Sequence, residues 1–176
     1  MRVGPRAPPN DEGLAVWAGL LAGQPFAYAG AHWGVDPVTE LAPPPPVQQP
    51  HPPVWCVGAL RPGRQRRPSL ERAARWQGVL PTVVAGQDGH SGLTHAGLGD
   101  LVTRLRGIRE GLGLPWAGFD VVVEGESHGD FGDVHDRSQS WADQGATWWV
   151  ESWWDLPDSP DGVAEPRRRV VAGPPR

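Results

Sequence analysis

Residues 54 to 83 read VWCVGALRPGRQRRPSLERAARWQGVLPTV. An apolar run of strand length, Val54-Trp-Cys-Val57, passes through a glycine-containing turn into a helical stretch over about 69 to 76. A second apolar run follows, Val79-Leu-Pro-Thr-Val83. Two strands joined through a helix form the unit from which parallel sheets are built, because parallel strands need a crossover connection. The pattern continues downstream. Phe119-Asp-Val-Val-Val123 and Thr147-Trp-Trp-Val150 supply two more strands, and helical stretches fall at roughly 98 to 112, 132 to 144 and 161 to 172. Pro166 should break or kink the last of these, since it lacks an N–H and crowds the preceding turn. The loop from Ala85 to Gly97 is long and glycine-rich, the character of a segment that lies over an active-site face or is disordered.

Upstream of these units the chain is less regular. Residues 1 to 10 show no periodicity and read as a disordered arm, with 11 to 176 as one domain. Asn10, Asp11 and Glu12 read as a cap with acidic first-turn residues favoured by the helix dipole, opening a helix over about 11 to 22. Leu14, Trp17 and Leu21 share one face of it, and Gly23 stops it. The same acidic residues weigh against a secretory leader, whose first region should be positive. Phe26 to Tyr28 and His32 to Val35 form a short hairpin around Gly30. Pro43 to Pro46 and Pro50 to Pro53 bracket a stiff, extended surface crossing.

Composition narrows the function classes. The 24 Gly and 21 Pro make long uninterrupted helices unexpected. A formal charge of −4, with 16 basic residues that are all Arg, disfavours nucleic acid as a partner. No apolar run reaches the roughly 18 to 20 residues that span a bilayer, so no membrane partner is expected. The single Cys56 excludes an internal disulfide and a cysteine metal cage, and suits a cytoplasmic protein. Asp130, Asp133, His135 and Asp136 gather near a helix start, but their spacing is poor for a metal and a capping role explains them. His90, His95 and His128 lack the context of a nucleophile triad.

Several strings, in this order, carry a family resemblance: DEGLAVWAGLLAGQPFAYAGAHWGV, PPVQQPHPPVWCVGAL, RRPSLERAARWQGVLPT, FDVVVEGE and DQGATWWVESWW. The chain from about Asp11 to Arg176 resembles the C-terminal half of luciferase-like monooxygenases, flavin-dependent oxidoreductases built on a (β/α)8 TIM barrel. The resemblance implies an α/β fold with about four C-terminal βα units, preceded by the N-terminal helix and hairpin. It also implies reduced flavin mononucleotide (FMN) or a deazaflavin as cofactor, with O2 and a small organic substrate. A whole barrel of this kind usually needs about 250 residues, so the resemblance implies a truncated form whose catalytic residues are largely elsewhere. The competing expectation is a non-catalytic half-barrel, completed by dimerisation or by a complementing N-terminal half.

In βα barrels the chemistry lies at the C-terminal ends of the strands. That points to Gly58, Ala59 and Leu60, then to Thr82, Glu124 to Glu126 and Glu151 to Trp153. The backbone N–H groups of Gly58, Ala59 and Leu60 would face an anionic group, and in the family the equivalent strand end lies near the flavin phosphate. A plain tight turn explains Gly58 equally well. Within the basic cluster Arg61, Arg64, Arg66, Arg67, Arg72 and Arg75, the planar guanidinium of Arg61 or Arg67 would clamp that phosphate. Arg72 and Arg75 read as solvated positions on a helix capped at Ser69. Strand alternation sends Trp148 and Val150 to one face and Trp149, Glu151 and Trp153 to the other. These tryptophans fit core packing best, with a flavin pocket or a sugar platform as alternatives.

Overall fold

The computed structural model describes residues 9–22, 25–38, 44, 46–60, 68–85, 89–126, 131–153, 156 and 159–173. The chain divides into two compact units, Met1–Val54 and Trp55–Arg176. No helix among the described residues is long and apolar enough to cross a membrane.

The first unit is built on one helix and one hairpin. Helix α1 spans Pro9–Leu21, so Asn10 lies inside it rather than capping it. Pro9 takes the first position, where a missing N–H costs nothing. Strands β1 (Phe26–Ala29) and β2 (Gly34–Val38) pair antiparallel. Glu12, at 3% exposure, is the buried residue of α1. It lies in the first turn of the helix, as expected, and has a second role. Its carboxylate accepts from the backbone N–H groups of Ala31 at 3.0 Å, His32 at 2.8 Å and Trp33 at 3.1 Å, and so anchors the hairpin turn. Burial alone would raise the Glu12 pKa. The three backbone bonds and the nearby His32 outweigh that and lower it.

The second unit is a mixed α/β structure with a four-stranded parallel sheet flanked by helices. Its strands are β3 (Trp55–Leu60), β4 (Gly78–Ala85), β6 (Asp120–Gly125) and β7 (Trp148–Glu151), side by side in that order. Between them run α2 (Pro68–Arg75), α3 (His95–Gly111) and α4 (Phe131–Ala142). Every crossover steps the same way across the sheet, and right-handed connections then place all three helices on one face. Consistent with this, α2 packs on α3 and α3 on α4.

Leu98, Leu101 and Leu105 follow helical spacing and are fully buried together with Leu70, Val79, Val121, Val122 and Val123. Each such side chain contributes roughly 1.5–3 kcal/mol relative to exposure. At 17 residues α3 is a longer helix than the glycine and proline content led us to expect. Thr94 caps it, accepting from Gly97 N–H at 3.1 Å.

Two prolines behave differently from simple expectation. Pro81 stands inside β4, whose pairing with β6 covers only Gly78↔Asp120 and Val79↔Val121. A proline has no N–H for a central ladder, so pairing with β6 stops short of it. The freed side of β4 is taken by β5 (Gly89–Ser91), an antiparallel strand within the segment read from sequence as a loop. Because Val83 pairs with both Leu60 and Ser91, β5 lies on the side of β4 opposite β3. Pro166 neither breaks nor kinks its helix. A 3-10 turn at Pro160–Val163 leads into α5 (Ala164–Ala172), and Pro166 occupies its first turn, where backbone N–H groups have no intrahelical acceptor.

Candidate functional site at the strand ends

The parallel strands bring Leu60, Ala85, Gly125 and Glu151 to the same end of the sheet. Gly58 is buried, and its missing side chain is a packing requirement. A Cβ there would lie 2.5 Å from Val79 Cγ2 and 2.8 Å from Leu70 Cδ2, so glycine lets α2 seat against the strand. The Ala59 N–H donates to Ser69 Oγ at 3.1 Å. Ser69 is not the cap of α2, which opens at Pro68; its hydroxyl ties the first turn of the helix to the end of β3. The Ala59 N–H is thus taken up by α2, and the space a side chain would need at Gly58 is filled by Val79 and Leu70. Leu60 ends the strand half-buried. Arg61 and Arg67, with Arg64 and Arg66, lie outside the described residues. Arg72 is half-buried on α2 and Arg75 exposed.

At the ends of β6 and β7 the side chains make a second cluster. Glu151 Oε2 accepts from Trp149 Nε1 at 3.1 Å and Oε1 from Trp153 Nε1 at 2.8 Å. Gly125 pairs with Glu151, and the Trp149 ring covers it: a Cβ on Gly125 would stand 2.5 Å from Trp149 Cη2. Glu124 is exposed beside it, and the Glu126 carbonyl accepts from Arg137 Nη1 at 3.3 Å. Thr82 is half-buried on β4.

Sequence reasoning did not find a matching arrangement at the opposite ends of the strands. Asp120 Oδ2 accepts from Trp55 Nε1 at 3.0 Å and Asp120 Oδ1 from Trp148 Nε1 at 3.0 Å. Trp148 is 50% exposed rather than packed in the core. Arg109 was also missed. It is 7% exposed, and its guanidinium donates to the carbonyls of Ala74 at 2.7 Å, Trp76 at 3.1 Å and Pro115 at 2.9 Å while lying over the Phe119 ring. Burial lowers its pKa.

His95 Nε2 lies 2.9 Å from Ser140 Oγ, but that hydroxyl donates to the Arg137 carbonyl at 2.7 Å, leaving His95 as the donor and no activated nucleophile. Among the described residues no group of three His, Cys, Asp or Glu side chains is placed to hold a metal ion. Cys56 is buried in β3 as a small apolar residue. No protein-family model matches the chain.

Proposed function

We propose that this chain is the C-terminal part of a (β/α)8 barrel of the luciferase-like monooxygenase type and contributes to a flavin-dependent oxidoreductase. The observation that carries this reading is the order β3-β4-β6-β7 with every crossover stepping the same way. Barrels are wound in this manner, whereas doubly wound sheets reverse direction and place helices on both faces. The strings that resemble the family supply the flavin. When bound, FMN or a deazaflavin would provide the redox chemistry with O2 and an organic substrate. The protein's part would be to bind and orient. With the Ala59 N–H engaged by Ser69, the phosphate grip would fall to the N–H groups of Gly58 and Leu60 and to the guanidinium groups of Arg61 and Arg67.

Titration of the full chain with FMN, and separately with a deazaflavin, tests the reading through quenching of flavin fluorescence. Saturable quenching weakened about tenfold or more by Arg61→Gln with Arg67→Gln supports it, since a charge-assisted hydrogen bond contributes about 1.5–3 kcal/mol. Absence of saturable quenching by either flavin overturns it.

A second reading, a non-catalytic half-barrel completed by another copy or by an N-terminal half, is favoured by Val57. Its strand register puts it on the sheet face away from the helices, where it is 58% exposed. β3 and β7, the terminal strands of the path, each have an outer edge suited to pairing. Size-exclusion chromatography with light scattering separates the readings: a dimer without flavin uptake supports the second, and a stable monomer overturns it.

A further inference from the structure

We propose that a second copy of this chain covers the outer edge of β7 and the open apolar side of α5, with β3 of each copy laid beside β7 of the other. This pairing rests on the half-barrel reading above, and the completing half is then an identical chain.

The large apolar side chains that the four-stranded sheet exposes stand on its two terminal strands. On the face away from the helices Val57 of β3 is 58% exposed and Trp148 of β7 50%, whereas Val122 of β6, between them on that face, is 1% exposed. A sheet face built for water is polar, and its edges are guarded by charge. Here the edges carry the exposed apolar groups, so each lacks a neighbour. Setting β3 of one copy beside β7 of the other supplies both at once, with Val57 and Trp148 flanking one seam on one face. A two-fold axis repeats the seam, and four parallel strands become eight. Eight is the number at which such a sheet closes on an interior filled by side chains, with no edge left.

The last helix points to the same partner independently. The covered side of α5 runs through Gly162, Pro166, Arg169 and Gly173, at helical spacing. Beside it lies a second apolar line. Val163, at the cap of α5, and Val170 stand two turns apart at 62% and 81% exposure, and Val171 next to them is 81% exposed. A surface helix keeps its apolar residues toward what it packs on, so three valines outside the covered side mark a second packing surface. Every crossover in this sheet steps one way. A helix leaving β7 with the same hand lies toward the position beyond β7, where no strand stands among the described residues. In the paired arrangement β3 of the second copy fills that position and α5 covers it.

Sedimentation equilibrium of the full chain tests the pairing, with lesions at exposed positions whose circular dichroism should match the parent. Val57→Glu alters the β3 side of the seam, and Val170→Glu with Val171→Glu the β7 side. Expected is a parent that is dimeric at about 10 μM. Each lesion should raise the dimer Kd about tenfold or more, because it sets a charge where an apolar contact was buried. Mixing the two variants leaves one seam with both sides intact, so the mixture should dimerise about fivefold or more tightly than either alone. Both lesions carry the same charge, and attraction between them cannot restore the dimer. A parent still monomeric at about 100 μM overturns the proposal together with the half-barrel reading. A dimer that neither lesion weakens overturns the proposal alone, since the half-barrel then pairs through another surface. A dimer opened by only one lesion assigns the other surface to a different partner and overturns the proposal, as does a mixture no tighter than its components.

Discussion

Trp55 and Trp148 meet with ring centroids 5.5 Å apart and planes inclined by 53°, and their indole N–H groups grip opposite oxygens of Asp120. The three residues come from three strands, with Gly78 of β4 between Trp55 and Asp120 in register. A Cβ on Gly78 would lie 2.6 Å from Trp55 Cδ1 and 2.9 Å from the Asp120 carbonyl oxygen, so the glycine opens the path by which one indole crosses a strand to its carboxylate. Asp120→Ala leaves two indole donors without their acceptor and should cost about 1–3 kcal/mol in denaturant unfolding. The near-ultraviolet dichroism of the tilted indole pair should change with it. A stability within about 0.3 kcal/mol of the parent would show that the clasp contributes nothing.

Gly58 separates a packing role from a ligand role. Gly58→Ala drives a methyl group into Val79 and Leu70, both fully buried, and should destabilise by about 1–3 kcal/mol whether or not flavin is present. Gly107→Ala is the control: it lies within α3 with nothing inside 4 Å of the added carbon. Relief from glycine in a helix should stabilise there by about 0.5–1 kcal/mol. If Gly58→Ala keeps its melting temperature and loses only flavin affinity, the packing account of this glycine fails.

The parallel sheet was legible because each strand is a short apolar run followed by a helical stretch, and boundaries moved only slightly, as from Val54–Val57 to Trp55–Leu60. β5 was not legible: Gly89-His-Ser91 has no apolar pattern, and its pairing arises because Pro81 ends the β4·β6 ladder. The indole clasps escaped for a different reason. Trp55 and Asp120 are 65 residues apart, and nothing local to either marks the other as its partner. Alternation did place Trp148 and Trp149 on opposite faces, yet burial was the wrong expectation for Trp148, whose N–H finds Asp120 at the rim. At Gly58 the backbone permissiveness was visible and its cause was not, since that requires knowing that α2 seats there.

Arg109 ties the end of α2 to the segment entering β6 through carbonyls alone. Lysine carries the same charge but cannot fork to carbonyls on two segments. Arg109→Lys should therefore cost about 2–3 kcal/mol, close to Arg109→Met, because the lost contacts are directional hydrogen bonds to a charged group. Equilibrium unfolding in urea reads the difference. A lysine variant as stable as the parent would mean that charge, not geometry, is what this site needs.

Glu12 makes the stability of the first unit depend on acid. Its folded pKa is lowered by the N–H groups of Ala31, His32 and Trp33 against the opposing effect of burial. The unfolded chain binds that proton more tightly, so the contribution is fully present above the ordinary carboxylate range and is lost as pH falls through the lowered value. Glu12→Gln retains an acceptor, but its amide NH2 must face backbone donors. It should be less stable than the parent at neutral pH and lack this acid-dependent step. Melting curves across the acid range, with the amide resonances of residues 31 to 33 as local reporters, check both parts. If parent and Glu12→Gln lose stability in parallel as the solution is acidified, the carboxylate is not what holds the hairpin turn.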